Sequence, residues 1–214
     1  MLFKTLQSYT FVLVGPISSG KSSLLNCLIE QKSCSHSSST VTNRLEVVMF
    51  ENEEEAIKLE ILDTPGMKLY ESLSHLFFST TSCILIVVDL SERKYEKQID
   101  EIFASMQKIQ NSCSSSGLTF SSSSESDFKY GFPMVVVGTK SDLVSQDDCQ
   151  SFIQKVKDNG FISFTCSTND IESINNVFND LLETDFVHPQ QVKKIPLKQK
   201  KKSWKKVKTQ CVVL

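Results

Sequence analysis

Gly15-Pro16-Ile17-Ser18-Ser19-Gly20-Lys21-Ser22 decides how the rest of this chain reads. The apolar run Phe11-Val12-Leu13-Val14 precedes it, and a helical pattern at Leu24, Leu25, Leu28 and Ile29 follows. Strand, loop and helix in that order, with the spacing G-x-x-x-x-G-K-S, predict a phosphate-binding loop. Glycines let the backbone curl close to the phosphates, so that N–H groups face them. The N-terminus of the following helix adds partial positive charge. Lys21 reaches β- and γ-phosphates, and the Ser22 hydroxyl can ligate Mg²⁺. The candidate phosphate site is therefore Gly15, Pro16, Ile17, Ser18, Ser19, Gly20, Lys21, Ser22 and the adjoining Ser23.

Downstream, Ser33 to Thr42 is polar and serine-rich and reads as a loop. Leu45–Phe50 and the alternating Ile57–Ile61 flank the acidic turn Glu51 to Glu55, which predicts a hairpin. Cys83–Asp89 and Pro133–Val137 are continuous apolar runs of the kind buried on both faces of a sheet. Ile99, Ile102, Phe103, Met106 and Ile109 sit at helical spacing. Further helices are expected over about Asp147–Asp158 and from near Asn169, with Glu172 as its capping-box partner and Phe161–Thr165 as a short strand between them. Strands alternating with helices after one hairpin predict an α/β fold. The expected form is a mostly parallel six-stranded sheet, with one antiparallel edge strand and helices on both faces. Ligands of such sheets bind at the carboxyl ends of strands, where every motif named here falls.

Three further stretches choose the ligand. Asp63-Thr64-Pro65-Gly66 ends a strand, where Asp63 can hold Mg²⁺ through water and the Gly66 N–H can approach a γ-phosphate. In Thr139-Lys140-Ser141-Asp142, the carboxylate of Asp142 suits the N1–H and 2-amino donors of guanine. Adenine would leave that carboxylate unpaired, which disfavours an ATPase. The Lys140 stem can cover the flat base. Cys166, Ser167 and Thr168, in the last strand-to-helix turn, can offer a backbone N–H to the guanine O6.

The order of these motifs resembles the Ras-like small GTPases over roughly Tyr9 to Phe186. The resemblance implies a guanine-nucleotide switch that binds GTP and GDP with Mg²⁺ and shows its GTP state to effector proteins. It also implies an exchange factor, and an activating protein that speeds hydrolysis. It gives catalytic roles to Lys21, Gly66 and a first-switch threonine that ligates Mg²⁺, which spacing places at Thr40, with Thr42 as runner-up. The metal set is then Ser22, Thr40 and Asp63. Thr139 stands where many members have Asn, and Cys166-Ser167-Thr168 where the family often has Ser-Ala-Lys. The family glutamine that orients the attacking water is replaced by Met67, whose thioether donates no hydrogen bond. Ile17 stands where Ras proteins commonly have glycine, and should crowd the γ-phosphate and an incoming arginine. The family's aromatic residue that stacks on the base is absent, and spacing puts Ser33 in its place. Slow hydrolysis is expected. The alternative is an essentially non-hydrolysing, GTP-loaded membrane scaffold.

The chain of 214 residues is 40% hydrophobic, enough for one domain with a proper core. No run approaches the roughly 20 apolar residues of a membrane span, and no signal peptide is read at the N-terminus. Seven scattered cysteines with no CxxC pair argue for reduced thiols rather than zinc. About 1–187 is read as the GTP-binding domain, with a serine-rich insertion at about 111–132. That insertion reads as a tolerated surface segment or as a phosphorylated or partner-binding loop.

Nine of the 23 basic residues lie between Pro189 and Leu214 with no acidic residue among them. An acidic body with a basic tail, about 188–214, suggests contact with an anionic surface. The tail ends in Cys211-Val212-Val213-Leu214, a C-a-a-X pattern whose final leucine favours a geranylgeranyl group on Cys211, added by a prenyltransferase. One lipid chain plus a basic patch holds stably to a membrane. The expected location is the cytoplasmic face of a membrane, foremost the plasma membrane. A nuclear address or nucleic-acid contact is the other reading of a lysine run, but neither needs Cys211, and no nucleic-acid partner is expected. The C-a-a-X ending and the position of the insertion lean towards the Ras branch.

Overall fold

The computed structural model describes residues 3–33, 44–51, 55–66, 81–92, 94–115, 133–184, 187–196 and 205–213. Thr40, Thr42, Met67 and most of the serine-rich insertion lie outside them. The elements follow as β1 (Phe3–Val14), α1 (Lys21–Glu30), β2 (Arg44–Glu51), β3 (Glu55–Asp63), β4 (Cys83–Asp89) and α2 (Tyr95–Ser115). After these come β5 (Met134–Thr139), α3 (Gln146–Asp158), β6 (Ile162–Thr165), α4 (Ile171–Glu183), β7 (Gln191–Pro196) and β8 (Lys205–Val213).

The sheet runs β6-β5-β4-β1-β3-β2-β8, with β7 alongside β1. Pairing is parallel from β6 through β3. β2 and β3 form the expected antiparallel hairpin, in register Val48↔Leu59. The architecture is thus the expected α/β fold, with a sheet of eight strands among the described residues rather than six. Both additional strands come from the stretch read as tail. β7 pairs antiparallel with the first half of β1, Phe3↔Pro196 to Ser8↔Gln191. β8 pairs antiparallel with β2, Arg44↔Val213 to Glu51↔Lys205, so β2 is not an edge. Lysine-rich segments carry no apolar alternation, so the pattern gave no strand signal there. Backbone groups of a neighbouring strand supply the pairing instead.

Period-2 alternation explains why the core lies on both sides of the sheet. Phe11, Leu13, Leu85, Val87, Val135 and Val137 point to one face, where Leu24, Leu25 and Leu28 of α1 and Ile174, Phe178 and Leu181 of α4 cover them. Val12, Val14, Ile84, Ile86, Val88 and Val136 point to the other, against Ile99, Ile102 and Phe103 of α2 and Phe152 and Val156 of α3. Every residue of β4 is buried, as its unbroken apolar run requires.

The helix ends are set by local chemistry. Ser145 and Asp148 form a reciprocal capping box at the start of α3. At α4 the cap is Asp170, not Asn169, because the Asp170 carboxylate accepts the Glu172 N–H at 3.0 Å. α2 continues through Ser115, five residues into the segment assigned to the insertion.

Phe11 is fully buried against Phe178, with ring centroids 6.2 Å apart. Phe11→Ala should lower unfolding free energy by about 3–5 kcal/mol, read as a shifted denaturant midpoint with unchanged slope.

Candidate functional site

The loop 15–20 leaves β1 and enters α1 at the carboxyl ends of β1, β3, β4 and β5. Gly15 passes so close to β4 that a Cβ there would lie 2.1 Å from the Val87 carbonyl oxygen. Its φ of 149° is also one that side chains avoid. Ser18 takes a left-handed φ of 63°, unusual for a serine, and completes the curl. Gly20 is the N-cap of α1 and makes no side-chain cap bond, so the helix N-terminus stays open towards the loop.

Lys21 is almost fully buried. Its Nζ donates to the Gly15 carbonyl at 3.1 Å and the Pro16 carbonyl at 2.7 Å, and approaches Ser19 Oγ at 3.4 Å. Burial lowers its pKa from the ordinary 10.5 to about 8, and the nearby Asp63 carboxylate opposes that only in part. The ammonium is folded onto the loop that would surround a phosphate, and a phosphate would be its natural counterion.

Ser22 Oγ donates to Asp63 Oδ2 at 2.5 Å, although 41 residues separate them. Asp63 ends β3 and is fully buried. A hydroxyl and a carboxylate already in contact are an all-oxygen donor pair of the kind a hard divalent cation takes, so these residues fit Mg²⁺. The third expected ligand, Thr40, lies outside the described residues.

The four residues that follow β3 divide their work. Thr64 is buried and its hydroxyl donates to the Leu13 carbonyl at 2.8 Å, so it ties the β3 end to β1 rather than facing a ligand. Pro65 is buried too. Gly66 lies against Ile17, where a Cβ would stand 2.4 Å from Ile17 Cγ1 and 2.8 Å from its backbone nitrogen. Ile17 itself is 71% exposed. An aliphatic side chain thus projects from the phosphate loop beside Gly66.

Thr139 does the work of linking the two motifs. Its hydroxyl is buried and lies 2.6 Å from the Ser19 carbonyl and 3.1 Å from the Val88 carbonyl. One hydroxyl proton serves both, so the β5 end is tied to the phosphate loop through a single atom. Lys140 follows in a left-handed conformation, φ 58°, and heads the short turn Ser141–Leu143.

Asp142 is exposed, and both its oxygens are oriented. Ser167 Oγ donates to Oδ1 at 2.6 Å, and Asn169 Nδ2 to Oδ2 at 2.8 Å. These bonds, the Ser167 one foremost, hold its pKa below the usual carboxylate value, so it is an acceptor at neutral pH. Each oxygen retains a further lone pair.

In the last turn two of the three backbone N–H groups are already engaged. Cys166 is buried, its N–H goes to the Gly138 carbonyl at 2.8 Å, and burial pushes its thiol up to about 12. The Ser167 N–H goes to Ser173 Oγ at 3.1 Å. The Thr168 N–H has no partner among the described residues. Ser33, at the expected stacking position, donates its hydroxyl to the Asn169 carbonyl at 3.1 Å and so rests on this same turn.

Sequence reasoning passed over two residues here. Asn169 was read as a helix start, yet its amide supports Asp142. Asp89 was read as the end of a strand, yet it is ion-paired to Lys140. A carboxylate closing a wholly apolar strand was the available signal for Asp89. Nothing marked Asn169, because its contact spans 27 residues. A cavity of about 620 Å³ elsewhere, lined by Tyr9, Phe50, Ile57 and Phe178 among others, contains none of the motif residues.

A phosphate loop, a metal-type oxygen pair and a guanine-type carboxylate at one sheet end define a P-loop guanine-nucleotide-binding protein. Residues 10–185 match the model of the Ras family, and the chain belongs to that family of small GTPases. It is similar to the Ras-related protein Rab-2B of Dictyostelium discoideum, 24% identical over 180 residues that cover 82% of this chain and 79% of that protein. The Ras-related protein RabC of the same organism is 25% identical over 141 residues, 64% of this chain and 62% of that one. The GTP-binding protein ypt5 of Schizosaccharomyces pombe is 30% identical over 86 residues, 38% and 39%. These relatives carry Rab and Ypt names.

Because Lys21 loses its proton near pH 8, affinity for GDP should fall as pH rises through about 8. The charged form lies below that value and is the one that attracts phosphate. Binding should accordingly take up protons near pH 8. Calorimetry in buffers of different ionisation enthalpy measures this, and a flat profile from neutral to alkaline pH would exclude it.

Proposed function

We propose that this protein is a slow-hydrolysing GTP-binding switch that spends much of its time in the GTP state on a membrane. When bound, Mg²⁺ would offset the negative charge of the phosphates. Lys21 neutralises phosphate charge, and Ser22 with Asp63 holds the metal, with Thr40 completing the set in the GTP state. Gly15, Pro16, Ile17, Ser18, Ser19, Gly20 and Ser23 form or adjoin the phosphate cradle. Gly66 offers its N–H to the γ-phosphate, with Thr64 and Pro65 holding it in place. Asp142 reads the guanine edge, steadied by Ser167, and Lys140 covers the ring. The O6 donor is the N–H of Thr168. Contacts to the γ-phosphate order the two switches, and effectors read that order.

One observation carries the slow-hydrolysis reading: Ile17 projects into solvent while packed against Gly66. An aliphatic group at that place occupies space an activating arginine would need. By its sequence the next residue is Met67, whose thioether donates no hydrogen bond and accepts one only weakly. Single-turnover hydrolysis on purified protein should be well below that of a glutamine-bearing relative. Met67→Gln should raise it, and Ile17→Gly together with Met67→Gln should raise it further. Ras-like hydrolysis in the unaltered chain, with no gain from Met67→Gln, would overturn the reading. The nucleotide that copurifies separates a switch from a scaffold: mostly GDP marks turnover, and almost wholly GTP marks a non-hydrolysing scaffold.

The domain division follows the same reading: about 1–187 binds nucleotide and about 188–214 targets the membrane. A geranylgeranyl group on Cys211 and the lysines before it would give two weak membrane signals that together hold. Lipid transfer needs a reachable, extended C-terminus, so β8 would leave β2 to be modified. In cells, the full chain should sediment with membranes and Cys211→Ser should remain in the supernatant. Sedimentation unaffected by Cys211→Ser would exclude lipid anchoring at that cysteine.

A further inference from the structure

Asp89 ends β4 and is nearly buried. We infer that Asp89 is a positioning residue that holds Lys140 across the face of the guanine base, and so sets how long a nucleotide stays bound. The inference rests on the reading of Lys140 as the cover of that base.

The carboxylate is itself held. Asp89 Oδ1 accepts from the Ser91 N–H at 2.9 Å and from Ser91 Oγ at 2.6 Å. Its other oxygen, Oδ2, takes the Lys140 ammonium. The parallel register sets Asp89 beside Thr139, and the Leu90 N–H donates to the Thr139 carbonyl at 3.1 Å. Asp89 therefore cannot drift relative to β5.

Lys140 is fixed at its other end. Its backbone is left-handed, and its carbonyl accepts the Leu143 N–H at 2.9 Å, which closes the turn that carries Asp142. A lysine stem has four rotatable bonds and ordinarily samples many rotamers. Here the α-carbon is held by the turn and the ammonium by Asp89, so only the methylene stem between them remains to meet a ligand. That stem is the part which would lie on a purine face. The Lys140 side chain is 35% exposed and the Asp89 side chain 9%, so the carboxylate is buried while part of the lysine side chain stays open to a ligand. A carboxylate this buried needs a cation, which makes Lys140 its counterion as well as its load.

An alternative role for the pair is purely structural, joining the ends of β4 and β5. The two roles separate through the nucleotide. Asp142 touches the base edge, so its loss should discriminate between GDP and IDP, which lacks the 2-amino group. Lys140 covers the ring face, which GDP and IDP share.

The experiment measures release of fluorescently labelled GDP and IDP from the full chain with Asp89→Asn, Lys140→Met and both substitutions. Asp89→Asn keeps an acceptor for Ser91 and removes only the charge. It should speed release of GDP and of IDP by the same factor, about fivefold. In the Lys140→Met background, Asp89→Asn should add nothing. Asp89→Glu should restore part of the slow release. Unchanged release in Asp89→Asn, or effects that multiply in the double variant, would overturn the inference. So would a lowered melting temperature with release rates unmoved, the mark of a purely structural pair. If Lys140→Met alone leaves release unchanged while Asp142→Asn speeds it, the reading of Lys140 as the base cover fails and takes this inference with it. If the unaltered chain retains neither nucleotide, the guanine site itself is refuted.

Discussion

The phosphate loop of this protein can exist only where no side chain intervenes between it and the strand ends beneath. Gly15 touches the β4 backbone at Val87, and Gly66 touches the loop at Ile17. Any Cβ at either place would collide with backbone atoms, which cannot move aside as a side chain can. This close approach brings Ser22 to Asp63 and Thr139 to the Ser19 carbonyl. Three motifs far apart in the chain then share one surface at the sheet end. The site is a consequence of close packing as much as of any one functional group.

Its groups are held mainly by neutral donors and short hydrogen bonds. Thr139 joins loop to β5 with one hydroxyl, and Ser167 with Asn169 steadies Asp142 with two more donors. Such networks leave charge available for a ligand, since a neutral donor steadies a carboxylate without cancelling it. Lys21 is different. It is a buried cation resting on carbonyl oxygens, and burial lowers its pKa. A group held in this manner favours the bound state over the free one.

The family resemblance and the departures from it therefore concern different steps. Gly15, Gly20, Lys21, Ser22, Asp63, Lys140 and Asp142 occur in positions that match the family pattern, and Thr139 performs with a hydroxyl a linking role from a position where many relatives have an amide. Two departures, Ile17 and Met67, fall where the γ-phosphate would be cleaved. Binding needs a shaped cradle with matched charge. Hydrolysis needs in addition a water placed by a hydrogen bond, and the thioether of Met67 supplies none.

Much of this was legible in residue order alone. The unbroken apolar run of β4 announced a strand buried on both faces, and the alternation of β3 announced its half-buried neighbour. The phosphate loop, Asp63 and Asp142 were readable because each chemistry needs a particular residue at a particular spacing. What spacing does not carry is contact between distant segments. The Asn169 amide on Asp142, the Asp89 partnership with Lys140 and the withdrawal of Cys166 into the core depend on how β4, β5 and the last turn meet. The addition of β7 and β8 to the sheet is of the same kind. Backbone hydrogen bonds join them to β1 and β2, and those bonds are indifferent to side chains. A lysine-rich sequence could therefore announce charge without announcing a strand, and only the tertiary structure decided where it would pair.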